Sequence, residues 1–204
     1  MEDPVYRRLR SSNSDNQKHT HNNEKLIIMF NLVDSRRIVA TITFEVPERL
    51  LVVLREKARL EGKVLEELLS EAVLKYYNLG DPRLKAEIYL KLCEKYLREG
   101  EKLLKEKDYV QASEKFWGSA TQIVKALAAD RGLELRSHGE LHSFISRLEK
   151  ETGDPDIRRL WQSAGMLHQN FYENWLPPEM VEGNAEDVKK LIEIVKNMLK
   201  LNKY

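Results

Sequence analysis

The sequence predicts a mainly helical protein: a short N-terminal strand-helix-helix unit followed by an antiparallel helical bundle. Three observations carry this. Apolar residues alternate with a period of two over Ile38–Val46 and take a helical period after Pro47. From Gly80-Asp81-Pro82 onward every segment keeps the helical period. The links between those segments are short, as between antiparallel neighbours.

Residues 1–25 are read as a disordered arm, because Ser, Asn, Gln and His dominate and apolar content is too low to offset ordering entropy. His19 and His21 belong to that solvated arm. Leu26–Val33 is an apolar run suited to a short strand. Met29 inside it is an alternative start to Met1. In the next strand, Ala40, Ile42, Phe44 and Val46 face one way, and Val39, Thr41, Thr43 and Glu45 the other. Pro47 ends it and suits a first helical turn. Leu50, Leu51, Val53, Leu54, Ala58 and Leu60 mark one helix, Gly62 a break, and Leu65, Leu68, Leu69, Ala72, Val73 and Tyr76 a second. This module spans 26–79.

The bundle spans 81–204. Asp81 caps its first helix, with Pro82 in the first turn, and the helix runs to Lys105. Asp108 caps the second, which carries Ala112, Phe116, Ala120, Val124 and Leu127. Ser137 and Glu140 form a capping box for the third. Asp154-Pro155 starts the fourth. Asn184, with Asp187 three residues on, is read as the start of the fifth, after a longer loop around Pro177-Pro178.

The 34 basic and 33 acidic residues nearly cancel, leaving a net charge of +1. That excludes nucleic-acid binding by bulk charge, though not a local basic patch. One cysteine excludes an internal disulfide framework and a Cys-rich zinc site. No apolar run reaches the roughly 18–20 residues of a membrane span, so a soluble, cytoplasmic protein is expected. No cofactor-binding loop and no fixed metal-ligand set is present, so no cofactor and no metal are expected.

Residues 38–77 resemble the ribbon-helix-helix family of small repressors and antitoxins. The resemblance is carried by Ile42-Thr43-Phe44-Glu45-Val46-Pro47-Glu48-Arg49-Leu50-Leu51 and by Gly62-Lys63-Val64-Leu65-Glu66-Glu67-Leu68. It implies a homodimer. It also implies a DNA-reading strand whose candidates are Arg36, Arg37, Thr41 and Thr43. The usual bidentate base readers are missing from that face, and Glu45, Glu66 and Glu67 oppose phosphate, so a dimerisation module is the stronger reading.

Residues 81–199 resemble the archaeal Pyrobaculum-repeat (PaREP-type) family, whose fold is similar to the HEPN (higher eukaryote and prokaryote nucleotide-binding) helical domains. The similar stretches include Tyr109-Val110-Gln111-Ala112-Ser113-Glu114-Lys115-Phe116-Trp117-Gly118 and Leu167-His168-Gln169-Asn170-Phe171-Tyr172. The resemblance implies a homodimer, with an analogy to toxin–antitoxin or defence systems. Many HEPN domains cleave RNA with an Arg four to six residues before a His. His168 is the candidate here. The motif is incomplete, because positions 161–163 are Trp, Gln and Ser, and Arg158 and Arg159 lie too far back. Packing is the favoured role for His168. Trp117, His168, Asn170 and Tyr172 are the candidate ligand or interface residues. His138 and His142 are read as a solvated helix start. Phe116, Trp117, Trp161, Phe171, Tyr172 and Trp175 are read as bundle core and interface.

The function expected is binding or assembly by a homodimer, with DNA, RNA or a protein as partner. The alternatives are a ribbon-helix-helix DNA regulator and a HEPN-type ribonuclease.

Overall fold

The computed structural model describes residues 26–32, 38–61 and 63–199. The 1–25 arm, Arg36, Arg37 and the expected break at Gly62 lie outside the described residues. The chain is mainly helical. Strands β1 (Leu26–Leu32) and β2 (Ile38–Phe44) pair antiparallel, with Leu26 opposite Phe44 and Leu32 opposite Ile38. Seven helices follow: α1 (Glu48–Leu60), α2 (Leu65–Tyr76), α3 (Pro82–Lys105), α4 (Tyr109–Asp130), α5 (His138–Thr152), α6 (Asp156–Glu173) and α7 (Pro178–Met198). No described helix is long and apolar enough to cross a membrane.

Side-chain capping sets three of the seven described helix starts. The Asp81 carboxylate accepts from the Arg83 amide at 2.9 Å, and Pro82 occupies the first turn. Asp108 accepts from the Gln111 amide at 3.1 Å. Ser137 and Glu140 close a reciprocal capping box. The last helix differs from expectation. It begins at Pro178, and Asn184 lies inside it. A proline at the first position needs no amide partner, so the Pro177-Pro178 segment opens a helix instead of a loop.

Helix α4 is the centre of the bundle and touches α3, α5, α6 and α7. Every residue from Phe116 to Ala129 is buried. Its alanines keep neighbouring axes close, and two glycines extend the same logic to the α3–α4 pair. A Cβ on Gly100 would stand 2.9 Å from the Phe116 ring, and one on Gly118 would stand 3.4 Å from Tyr96. The Ser119 hydroxyl donates to the Cys93 carbonyl at 2.9 Å across the same contact.

Helix α2 attaches to this bundle through three carboxylates. Glu66 pairs with Lys95 and accepts from the Tyr96 hydroxyl at 2.8 Å. Glu71 accepts from Lys63 at 2.7 Å and from the Tyr89 hydroxyl at 3.0 Å. Glu67 is only 1% exposed and pairs with Lys125, itself 5% exposed, while Gln122 donates to its second oxygen at 2.6 Å. A buried pair of this kind adds little net stability, but removing one partner is costly.

Helix α1 is covered on one side only. Leu51 and Ala58 are buried, whereas Leu50, Val53 and Leu60 are 44%, 57% and 72% exposed. At about 100° per residue Leu50, Leu51, Val53, Leu54, Ala58 and Leu60 form an arc of roughly half the helix circumference, and the exposed Val52 stands on the opposite side. The covered residues occupy one half of that arc, and Leu50, Val53 and Leu60 the other.

Candidate functional site

Three elements converge on one aromatic and histidine cluster. Helix α6 places Trp161, His168 and Tyr172 along one stripe, because residues three and four apart share a helix face. The first half of α4 supplies Glu114 and Trp117, again three apart. The start of α5, fixed by its capping box, supplies His138 and His142.

The His168 ring stacks on Trp117 with centroids 4.6 Å apart and planes 23° apart. Tyr172 meets His168 edge-on at 5.2 Å. His138 lies 5.3 Å from His168 and 5.7 Å from Trp117. Trp161 lies 5.1 Å from Trp117 and donates its indole N–H to His142 Nδ1 at 2.8 Å. His168 Nδ1 sits 3.3 Å from a Glu114 carboxylate oxygen. A carboxylate at Nδ1 favours the proton there and leaves Nε2 as the acceptor of a neutral imidazole.

Burial pushes the His138 pKa down, and His168, His142 and Lys125 push it further in the same direction. Burial raises the Tyr172 phenol, Glu114 adds to that, and Arg59 of α1 acts against it. The cluster therefore sets two imidazoles, a carboxylate and a phenol side by side around the Trp117 ring.

The expected residues divide. Trp117, His168 and Tyr172 come together as the sequence suggests. Asn170 lies on the opposite side of α6 as a buried clamp. Its amide N–H donates to Ser113 Oγ at 2.9 Å, and its carbonyl oxygen accepts from the Trp175 and Leu176 amides at 3.0 and 2.8 Å. His138 and His142 are more than a solvated helix start, because α5 crosses beside α4 and brings their exposed rings into the cluster. Tyr172 and Trp175 are exposed, not core, since α6 ends at Asn174 and points them outward.

No arginine of α6 completes a His168 motif. Arg158 binds Glu149 at 3.0 Å, and Arg159 binds Asp156 and Asp187 at 3.0 and 3.4 Å. Thr41 and Thr43 lie in β2, opposite Met29 and Ile27. Among the described residues, no group of three or more His, Cys, Asp or Glu side chains is arranged to hold a metal ion. Cys93 is buried, and burial pushes its thiol up to about 11, which disfavours a thiolate.

Glu114 and Arg59 are the site residues that sequence reading missed. Glu114 carries a signal, its three-residue spacing from Trp117. Arg59 carries none, because its approach to Tyr172 depends on how α1 sits.

None of the curated proteins matches the chain. A crystal structure of a protein from Sulfolobus solfataricus is 29% identical, covers 53% of this chain and 97% of that one, and superposes with a TM-score of 0.49. The model of the archaeal PaREP1/PaREP8 family matches residues 88–192, from within α3 to within α7 and just over half of the chain. The chain belongs to the archaeal PaREP1/PaREP8 family.

Proposed function

We propose that the chain is a homodimeric binding and assembly protein. Residues 26–79 form its pairing module, and the bundle of residues 81–204 presents the His138–Trp117–His168–Tyr172 cluster to a ligand or partner. The observation that carries the pairing is the uncovered half of α1. Leu50, Val53 and Leu60 form one stripe that a second copy of α1 can cover. Lys57, on the stripe between Val53 and Leu60, pairs with Glu61 at 3.1 Å, and Glu56 at the edge of the stripe pairs with Arg59 at 2.6 Å. Two such stripes therefore meet without net repulsion. Pairing through α1 does not need the edge of β2 that β1 occupies.

Light scattering on a sizing column tests this. The mass of the unmodified protein is expected to rise from the chain mass toward twice that value as the loading concentration approaches about 1 mM, and Val53→Lys to stay at the chain mass throughout. A Val53→Lys protein that stays dimeric would remove α1 from the interface.

A second reading, a HEPN-type ribonuclease, is favoured by one observation. Glu114, His168 and His138 form a carboxylate-oriented imidazole beside a second imidazole, which suits proton transfer to and from a ribose hydroxyl. It predicts RNA cleavage that is lost in both His168→Ala and Glu114→Gln. Cleavage that survives both changes rejects it. No observation favours DNA reading through Thr41 and Thr43.

A further inference from the structure

A cleft of about 150 Å³ opens where the start of α3, the end of α4 and the 132–135 loop meet. It is well below the roughly 300 Å³ at which drug-sized sites begin, so it suits a small molecule of a few heavy atoms. Pro82, Ala129, Leu133 and Leu135 give it apolar walls. Lys125, Lys85, Tyr89 and Glu134 are its polar lining residues.

Lys125 is almost fully buried yet faces this cleft. An ammonium has three donors, and the described hydrogen bonds give it one partner, Glu67. Glu67 shares its charge with Gln122, and burial holds its carboxyl above the ordinary range despite Lys125. The described hydrogen bonds thus leave two of the three Lys125 donors for a further acceptor. Lys85 is held loosely, reaching Glu134 only at 3.9 Å, while Glu134 is engaged by Arg136 at 2.8 Å. Lys85 can therefore turn toward an incoming anion without losing a strong partner. Glu134 and Glu71, the latter through Tyr89, are the nearby negative charges, and each already has a cation beside it.

We infer that this cleft binds a short-chain carboxylate, with its carboxylate between Lys125 and Lys85 and its hydrocarbon part against Pro82, Ala129, Leu133 and Leu135. The apolar walls favour a carboxylate with a hydrocarbon tail over a bare inorganic anion of the same charge.

The test is an amide-resolved NMR titration of the full chain with butyrate and, separately, with inorganic phosphate. Butyrate is expected to saturate shifts at Gly132–Leu135 with a Kd of about 1 mM, ordinary for a six-atom ligand. Lys85→Met is expected to weaken it about fivefold, and Leu133→Trp, which fills the cleft, to abolish it. Both positions are near the surface, so folding is retained and checked in the same spectra. Val53→Lys, which addresses only the proposed dimer, should leave butyrate binding unchanged. Three outcomes would overturn the inference: no saturable shifts with butyrate, variants that leave binding intact, or phosphate that binds as well as butyrate.

Discussion

Removing the amide of Asn170 tests how the turn behind the cluster is held. Asn170→Ala deletes the acceptor of two backbone amides, Trp175 and Leu176, and a donor to Ser113. The Leu176 amide is buried and finds no substitute, at a cost of about 1–3 kcal/mol. The Trp175 amide is only partly buried and recovers most of its loss from water. Ser113 keeps its bond to the Tyr109 carbonyl at 2.7 Å, so its hydroxyl is not orphaned. With the space the amide leaves, the expected cost is about 3 kcal/mol, or a Tm lower by roughly 6–12 °C for a chain of this size. Asn170→Asp should be no milder. Ser113 already donates to Tyr109, so the new carboxylate oxygen would face an acceptor in a buried site. Calorimetry of the three proteins measures this. If Asn170→Ala costs less than about 0.5 kcal/mol, the clamp does not hold the turn.

Gly100→Ala drives a methyl group to 2.9 Å from the fully buried Phe116 ring, which has little room to move, and should cost about 1–3 kcal/mol in urea denaturation. An unchanged midpoint would mean that the α3–α4 contact is looser than its geometry. His138 gives a pH signature. Its folded pKa lies below the unfolded value of about 6.5, so the unfolded chain takes up the proton first and stability falls as pH drops through that value. His138→Gln should flatten the fall measured between about pH 7.5 and 5.5. Equal slopes in both proteins would contradict that assignment. Asn174 ends α6 with φ of 48°, so Asn174→Ala should lower stability by about 1 kcal/mol, whereas Asn174→Gly should not.

The sequence made the helical architecture legible wherever the decisive interaction is local. Asp81, Asp108 and the Ser137–Glu140 box lie within three residues of the amides they satisfy, and each starts a helix. Asn184 and Asp187 have the same spacing but lie inside α7. A local pattern does not reveal that Pro178 has already opened the helix six residues earlier. The site was legible in part. The sequence grouped Trp117, His168 and Tyr172, but whether His138 joins them depends on how α5 crosses α4. Glu67 showed the limit most plainly. A glutamate in a first helical turn reads as a solvated charge favourable to the helix dipole, yet it is buried against Lys125, 58 residues away. Leu50, Val53 and Leu60 carry the same apolar signal as Leu51 and Ala58. Only the placement of α2 separates the covered half of α1 from the exposed half.

Sedimentation equilibrium of the unmodified chain across a concentration series tests the central claim most directly. Burying what Leu50, Val53 and Leu60 leave exposed contributes roughly 3–5 kcal/mol per protomer, at about 1.5–3 kcal/mol for each fully buried side chain. Doubled across a two-fold axis, this exceeds the lower estimates of the cost of association, about 4 kcal/mol. A reversible monomer–dimer equilibrium with a Kd between tens of micromolar and about 1 mM is predicted, shifted to monomer by Val53→Lys. A single monomeric species up to about 1 mM would contradict the account.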